Sequence, residues 1–260
     1  MRAPVDTIEA PQFLPQLRWV NVKRLRVEKL RGRPVLIEFW DFCRPNSIRT
    51  LPYMKAWHER YGAPPEDPEA TGLQVVGIHS PGFAPGKQRK AVIEAVARLG
   101  VEYPVMIDSE LEMWREYENI GWPARYLFNA DGMLFDYHFG EGAYEQTELA
   151  IQELLGLSSP PPLQPVRPED APDAVLSPQT EDQEGAYQGR YEAGAVWGVF
   201  DGAGTVQVNG GAVAGGRTLT IEHPGAYSLV EHERHTKGKL QLDLGEGVQC
   251  LATCFTPGLA

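Results

Sequence analysis

Apolar and polar positions alternate between two rhythms along the first part of the chain. PVLIEFW (34–40) and LQVVGIHS (73–80) are near-continuous apolar runs, as strands buried on both faces should be. WVNV (19–22) and YPVMID (103–108) are shorter runs of the same kind. Between them the period lengthens. NSIRTLPYMKAWHERY (46–61) carries Ile48, Leu51, Met54, Trp57 and Tyr61 at helical spacing, and Pro52 inside it predicts a kink. KQRKAVIEAVARLG (87–100) predicts an amphipathic helix closed by Gly100. LEMWREYE (111–118) and TELAIQELLG (147–156) predict two more helices. ARYLFNADGMLFDYHFG (124–140) predicts a hairpin turning at Asn129-Ala130-Asp131-Gly132. Strands alternating with helices imply an α/β sheet, and the hairpin adds an antiparallel pair.

The rhythm changes after Gly156. Seven prolines fall between Gly156 and Asp182, which predicts an extended linker or strap. Beyond it come short apolar runs separated by glycines: AVWGVF, GTVQVNG, RTLTIEHPG, YSLVEH, KLQLDLG and VQCLATCF. Their spacing of roughly ten residues predicts an antiparallel β-sandwich. GGAVAGG (210–216) reads as a turn between two of its strands, since no phosphate-cradling glycine motif is present. The expected domains are 1–156 (α/β), 157–182 (linker) and 183–260 (a small, jelly-roll-like all-β sandwich).

Composition narrows the function. The chain has 260 residues, 42% of them hydrophobic, and a formal net charge of −11. The negative charge argues against nucleic acid or an anionic membrane as partner. The basic stretch KRLRVEKLRGR (23–33) reads as a solvated strand-loop face. No run reaches about 18 apolar residues, and the start lacks an apolar signal core, so a cytoplasmic protein without a membrane span is expected. The oligomeric state is left open. Three cysteines, Cys43, Cys250 and Cys254, do not suggest a secreted disulfide framework. Cys250 and Cys254 fall on one expected strand, on the same face, about 13 Å apart. A disulfide needs Cα atoms within about 7 Å, so they do not bridge each other. His232 and His235 of HERH would point to opposite faces of a strand, and no zinc spacing is present, so neither a metal nor a cofactor is expected.

The chemistry concentrates in FWDFCRPNS (39–47), where an apolar strand gives way to a helix. A helix N-terminus and the neighbouring Arg44 both favour a thiolate at Cys43. The bland alternative is a half-buried corner cysteine. A peroxide-reducing site would need a threonine or serine three residues before the cysteine, and Trp40 stands there.

The succession of WVNVKRLRVEKLRGRPVLIEFW, a cysteine-bearing junction, a helix with an internal proline, GIHSPGF, GWPARYLFNADG and FGEGAYEQTE resembles the thioredoxin-fold TlpA/redoxin group. It is similar in particular to the soluble C-terminal region of DipZ-type proteins, which also carries a β-sandwich. The resemblance is strong over 15–156 and weaker over 220–257. It implies that Pro123 is the cis-proline beside the site and that, with Trp122, it lies along a groove for extended peptides. It also implies that Glu38 takes the place of the buried acid that relays protons to the resolving thiol.

The site departs from that family. Counted from Trp40 and from Pro52, the two cysteines of CxxC fall on Arg44 and Ser47. Sliding the match by one gives Cys43-Arg44-Pro45-Asn46, a CxxC with its second cysteine lost. The ungapped register is preferred. Neither register supplies the second thiol that releases a mixed disulfide. Three readings follow. The first is a degenerate thioredoxin-fold protein that binds a peptide or protein partner through Arg44, Asn46, Ser47, Trp122 and Pro123. The second is a single-thiol enzyme using Cys43, with Glu38 as its acid and an outside thiol for resolution. The third is carbohydrate or ligand binding by the β-sandwich, through Tyr187, Trp197, Phe200 and Tyr227, residues whose bland role is core packing. Glu38 likewise has a bland role, a strand carboxylate held by a partner.

Overall fold

A computed structural model describes residues 1–4, 7–62, 72–158, 160–210 and 213–260. The chain divides into two compact units. One comprises Met1–Asp41 and Asn46–Val166, the other Phe42–Pro45 and Arg167–Ala260.

The first unit contains a six-stranded sheet, β1 (Arg18–Val20), β2 (Val35–Trp40), β3 (Gln74–His79), β4 (Val105–Ile107), β5 (Ala124–Phe128) and β6 (Leu134–Phe139), in the order β1-β4-β3-β2-β5-β6. β2, β3 and β4 are parallel; β1 and β5 run against them, and β6, antiparallel to β5, runs with them. Every residue of β2 and β3 is buried, as their unbroken apolar runs require. Val35, Ile37, Phe39, Val76 and Ile78 join Met106, Met113 and Tyr126 in one core cluster. The helices are α1 (Pro45–Tyr61), α2 (Arg89–Arg98), α3 (Glu112–Glu116) and α4 (Tyr144–Leu154). α1 begins on Pro45, the first-turn position at which the missing N–H and fixed φ of proline cost nothing. It runs unbroken past Pro52 and buries Leu51, Met54, Trp57 and Tyr61. Residues 84–87, partly expected as helix, form a separate 3-10 turn before α2.

The β5–β6 hairpin turns where its sequence predicts. Asn129 Oδ1 accepts the N–H groups of Asp131 (3.0 Å) and Met133 (2.9 Å), and Gly132 takes the positive φ of 74° that closes the turn. The outer edge of β6 is covered by the start of the chain, which the hydrophobic pattern does not announce. Leu134 N–H donates to Ile8 O (2.7 Å) and Ala10 N–H to Gly132 O (2.9 Å). Edge strands invite unwanted pairing, and this segment removes the invitation.

Part of the proline-rich stretch is fixed to the first unit as a strap. Glu148 of α4, 1% exposed, accepts hydrogen bonds from Trp57 Nε1 (3.2 Å), Arg60 Nη1 (2.9 Å), the Tyr61 hydroxyl (2.7 Å) and the Leu163 backbone N–H (2.9 Å). Val166 N–H donates to the Tyr53 hydroxyl (2.7 Å).

The second unit is all-β. β8 (Gln183–Glu184), β9 (Gln188–Gly202), β10 (Gly204–Gly210), β11 (Val213–Ile221), β12 (Gly225–Leu244) and β13 (Val248–Thr256) form one antiparallel sheet ordered β11-β10-β12-β9-β13-β8. β7 (Leu176–Ser177) pairs with β14 (Gly258–Leu259) alongside. The expected turn at 210–216 lies in part outside the described residues. β12 has 20 residues, which would extend roughly 66 Å if straight. That is several times the radius of gyration of about 13 Å for a compact 100-residue domain. Register shifts at Ser228/Val230 and Glu231/Thr236 mark where it bends. The folded sheet encloses Tyr191, Val196, Phe200, Val206, Val208, Ile221, Leu229 and Phe255.

One expectation is corrected here. A register shift between Cys250 and Ala252 breaks the alternation of β13. Cys250 and Phe255 therefore both face the core, and Cys254, paired with Trp197, faces the other way. The two cysteines do not share a face. Phe200 is wholly buried, and Tyr187 and Tyr227, partly buried, pack against the core cluster, which is the core-packing role expected for them; Trp197 is half-buried outside that cluster.

Candidate functional site

The site grows from the carboxyl end of β2. Asp41 follows Trp40 at the point where the strand stops, and its side chain is wholly buried. Its carboxylate accepts the Gly82 N–H (2.7 Å) and lies 3.4 Å from His79 Nε2. Its own backbone N–H donates to Ser47 Oγ (3.2 Å), tying the first turn of α1 to the strand end. Asp41 and His79 were not singled out for the site. The available signal was an acid next to the junction, in line with a histidine ending the neighbouring strand.

Ser47 is buried and engaged, while Asn46 is exposed and Arg44 half-buried. Cys43 is 0% exposed, more deeply placed than the half-buried corner that the sequence suggests. It belongs with the tetrapeptide Phe42–Pro45 to the second unit, where Ala226 N–H donates to the Phe42 carbonyl (3.2 Å). No cysteine is in a disulfide among the described residues. Burial pushes the Cys250 thiol up to about 11 and raises Cys254 further, the nearby Asp182 adding to it.

Glu38 lies in the middle of β2, directly opposite Arg125 of β5. Both are buried. Burial pushes the Glu38 carboxyl up to about 8, against the opposing pull of the Arg125 charge. Among the described residues neither carboxylate oxygen has a hydrogen bond, so the partner expected to hold Glu38 does not bond it. Arg125 instead donates from Nη2 to the Gly142 carbonyl (2.5 Å) and sits over the Tyr144 ring at 4.9 Å. An unpaired carboxylate is too costly in such a place, so Glu38 stays protonated at neutral pH.

The Trp122–Pro123 peptide bond is cis. Pro123 is buried and Trp122 half-buried. The Trp122 indole N–H donates to the Ser80 carbonyl (2.7 Å), and its ring lies 4.1 Å from that of Trp114. Asp108 fixes both halves of this pair. It accepts the Ser80 hydroxyl (2.9 Å) and the N–H groups of Met113 (3.0 Å) and Trp114 (3.0 Å). The structure thus brings Asp41, Ser47 and His79 together at one strand end, and Ser80, Asp108, Trp114 and Trp122 beside the cis-proline. Among the described residues, Glu38 makes no hydrogen bond to either network.

No family model matches the chain. Protein DipZ of Mycobacterium tuberculosis is 32% identical over 232 residues, which cover 84% of this chain and 32% of DipZ. The chain is a DipZ homologue. It spans about a third of the length of the DipZ proteins it matches. The thiol-disulfide oxidoreductase ResA of Bacillus subtilis is 25% identical over 153 residues, covering 58% of this chain and 75% of ResA. A solution structure of a thioredoxin-like protein in the oxidized form superposes with a TM-score of 0.50 at 23% identity, covering 57% of this chain and 95% of that one. The homologue of DipZ described here therefore has a thioredoxin-like fold followed by an all-β region, and its sequence neighbours include proteins named thiol-disulfide oxidoreductases.

Proposed function

We propose that this chain is a thioredoxin-fold protein whose redox centre is degenerate, and that it serves in peptide or partner binding and not in dithiol exchange. The observation that carries the reading is the occupancy of the strand-helix junction. Arg44 and Ser47 stand at the two CxxC positions of the ungapped register, and the Ser47 hydroxyl is buried and bonded to the Asp41 N–H. A hydroxyl cannot attack or release a disulfide, so a mixed disulfide would have no internal exit. Full burial of Cys43 weighs against the single-thiol alternative, because an attacking sulfur must reach its partner. The peptide-binding part rests on the resemblance and on the ordered Trp122–Pro123 segment, whose indole is held by Ser80 and Trp114.

The test is insulin reduction by dithiothreitol, followed by turbidity. The native chain should not accelerate it. Arg44→Cys with Ser47→Cys should gain activity, whereas Asn46→Cys alone should not. Catalysis by the native chain that disappears in Cys43→Ser would overturn the proposal. Binding is tested on a peptide array, where Trp122→Ala should erase the spots that the native chain lights.

A further inference from the structure

The second unit carries a groove of about 770 Å³ on the outward face of the β9–β12 pair. A second depression of about 560 Å³ shares Arg190 and Lys239 with it. These two residues stand directly opposite each other in the antiparallel register, as Glu192 and Lys237 do one pair further along. The second pair is satisfied, with Lys237 Nζ 2.8 Å from Glu192 Oε1. The first is not. Arg190 and Lys239 are both exposed, and among the described residues neither side chain has a carboxylate within ion-pair distance. Like charges placed directly across a strand pair destabilise it. In a chain of net charge −11 many acidic residues were available to offset them.

The groove around this pair is constructed. Pro178, Gln179 and Thr180 form one wall. That wall is tied to β9 by two hydrogen bonds, Thr180 N–H to Glu192 O (2.8 Å) and Glu192 N–H to Thr180 Oγ1 (2.8 Å). Under the floor, Gly238 lies against the buried Tyr191, whose ring leaves no room for a Cβ. Gly238 alternates with the exposed Lys237 and Lys239, so its side-chain position faces inward and the floor at that place is backbone beside the cations. Gln188 and Gln241, opposite each other across the next pair, extend the polar lining.

We propose that this groove binds a small oxyanion-bearing molecule, its anionic group held between the Arg190 guanidinium and the Lys239 ammonium. Arginine presents a planar fork to such a group and lysine a point charge, so together they suit a tetrahedral or carboxylate oxyanion. The volume is that of an ordinary small-molecule site, and the amides and Thr180 suit a polar body. This proposal does not depend on the fate of the thiol site.

The experiment is isothermal titration of the full chain with inorganic phosphate, sulfate and citrate, in low salt. Saturable binding of at least one probe is expected. Arg190→Gln and Lys239→Gln should each weaken it at least tenfold, and Arg190→Lys should lose less than Arg190→Gln. Lys90→Gln, on a surface helix of the first unit, should leave it unchanged. Circular dichroism reports whether each variant keeps its β content, and Arg190→Lys serves if the neutral variants do not fold. No saturable binding of any probe overturns the proposal, as does binding that both neutral variants retain.

Discussion

Glu148 is the residue on which the strap depends, and its removal has a calculable effect. In Glu148→Ala, four donors lose their common acceptor: Trp57 Nε1, Arg60 Nη1, the Tyr61 hydroxyl and the Leu163 N–H. Trp57 is wholly buried and Tyr61 nearly so, and a buried donor left without an acceptor costs about 1–3 kcal/mol. Arg60 is a third exposed on its side-chain surface, so its share is discounted for solvent screening. The sum is on the order of 3–5 kcal/mol, the usual cost of breaking a buried charge pair from one side. For a unit of this size, each kcal/mol lowers the midpoint by about 2–4 °C, so the first unit's thermal transition should fall by roughly 10 °C. Glu148→Gln keeps one carbonyl acceptor and should lose about half as much. Calorimetry reads the midpoint. Hydrogen exchange adds a local readout: the Leu163 amide should exchange far faster in Glu148→Ala, while amides in β2 and β3 retain their order of protection. A midpoint shift under about 2 °C, or an unchanged Leu163 amide, would refute the reasoning that this carboxylate holds the strap.

Three further outcomes are expected. Glu38 has a folded-state pKa near 8, raised from 4.5, so the folded chain binds the proton more tightly than the unfolded one. Stability therefore falls as pH rises from about 4.5 to about 8, at up to about 1.4 kcal/mol per pH unit. Glu38→Gln should flatten that decline in denaturant titrations at pH 5, 6.5 and 8; parallel curves for the two proteins would count against a neutral Glu38. All three cysteines are buried, so an aromatic disulfide reagent at pH 8 should label the native chain slowly and the denatured chain at three sites; a rapid stoichiometric thiol absent from Cys43→Ser would contradict this. Gly238→Ala would place a Cβ 2.8 Å from Tyr191 ring and hydroxyl atoms and should cost about 1–3 kcal/mol as overpacking; an unchanged midpoint in thermal unfolding would show that the ring yields freely.

The central sheet was legible because β2 and β3 are buried on both faces and therefore lack alternation, and because helical spacing in α1 survives Pro52. The hairpin was legible from Asn129 and Gly132, whose local chemistry dictates the turn. The role of residues 1–3 and 8–10 was not, since they pair with β6 and the turn before it through backbone groups that leave no hydrophobic signature. At the site, Cys43, Ser47 and Pro123 could be placed from the strand-helix pattern and the family resemblance. Asp41 and Asp108 could not. Their importance comes from which N–H groups converge on them, that of the distant Gly82 on Asp41 and those of Met113 and Trp114, in the helical turn after it, on Asp108, and the hydrophobic pattern reports neither. Glu38 was placed correctly in the strand but given a partner it lacks, because a pattern of letters reports position and not protonation.

The extra residue at Leu251 inverts the parity of β13, and this has a consequence for comparing chains. On either side of the bulge, the same odd or even position means opposite things: inward before it, outward after it. Two related chains, one with the bulge and one without, would share a fold yet disagree at every later residue of the strand unless a one-residue gap is opened there. Excising Leu251 is the physical counterpart of omitting that gap. The shortened strand would either turn Phe255 out of the core or slide by one residue against β9, and both carry the whole C-terminal half of β13 with them. The bulge thus acts as a phase marker, a single inserted residue that determines how the last five positions of the strand must be read.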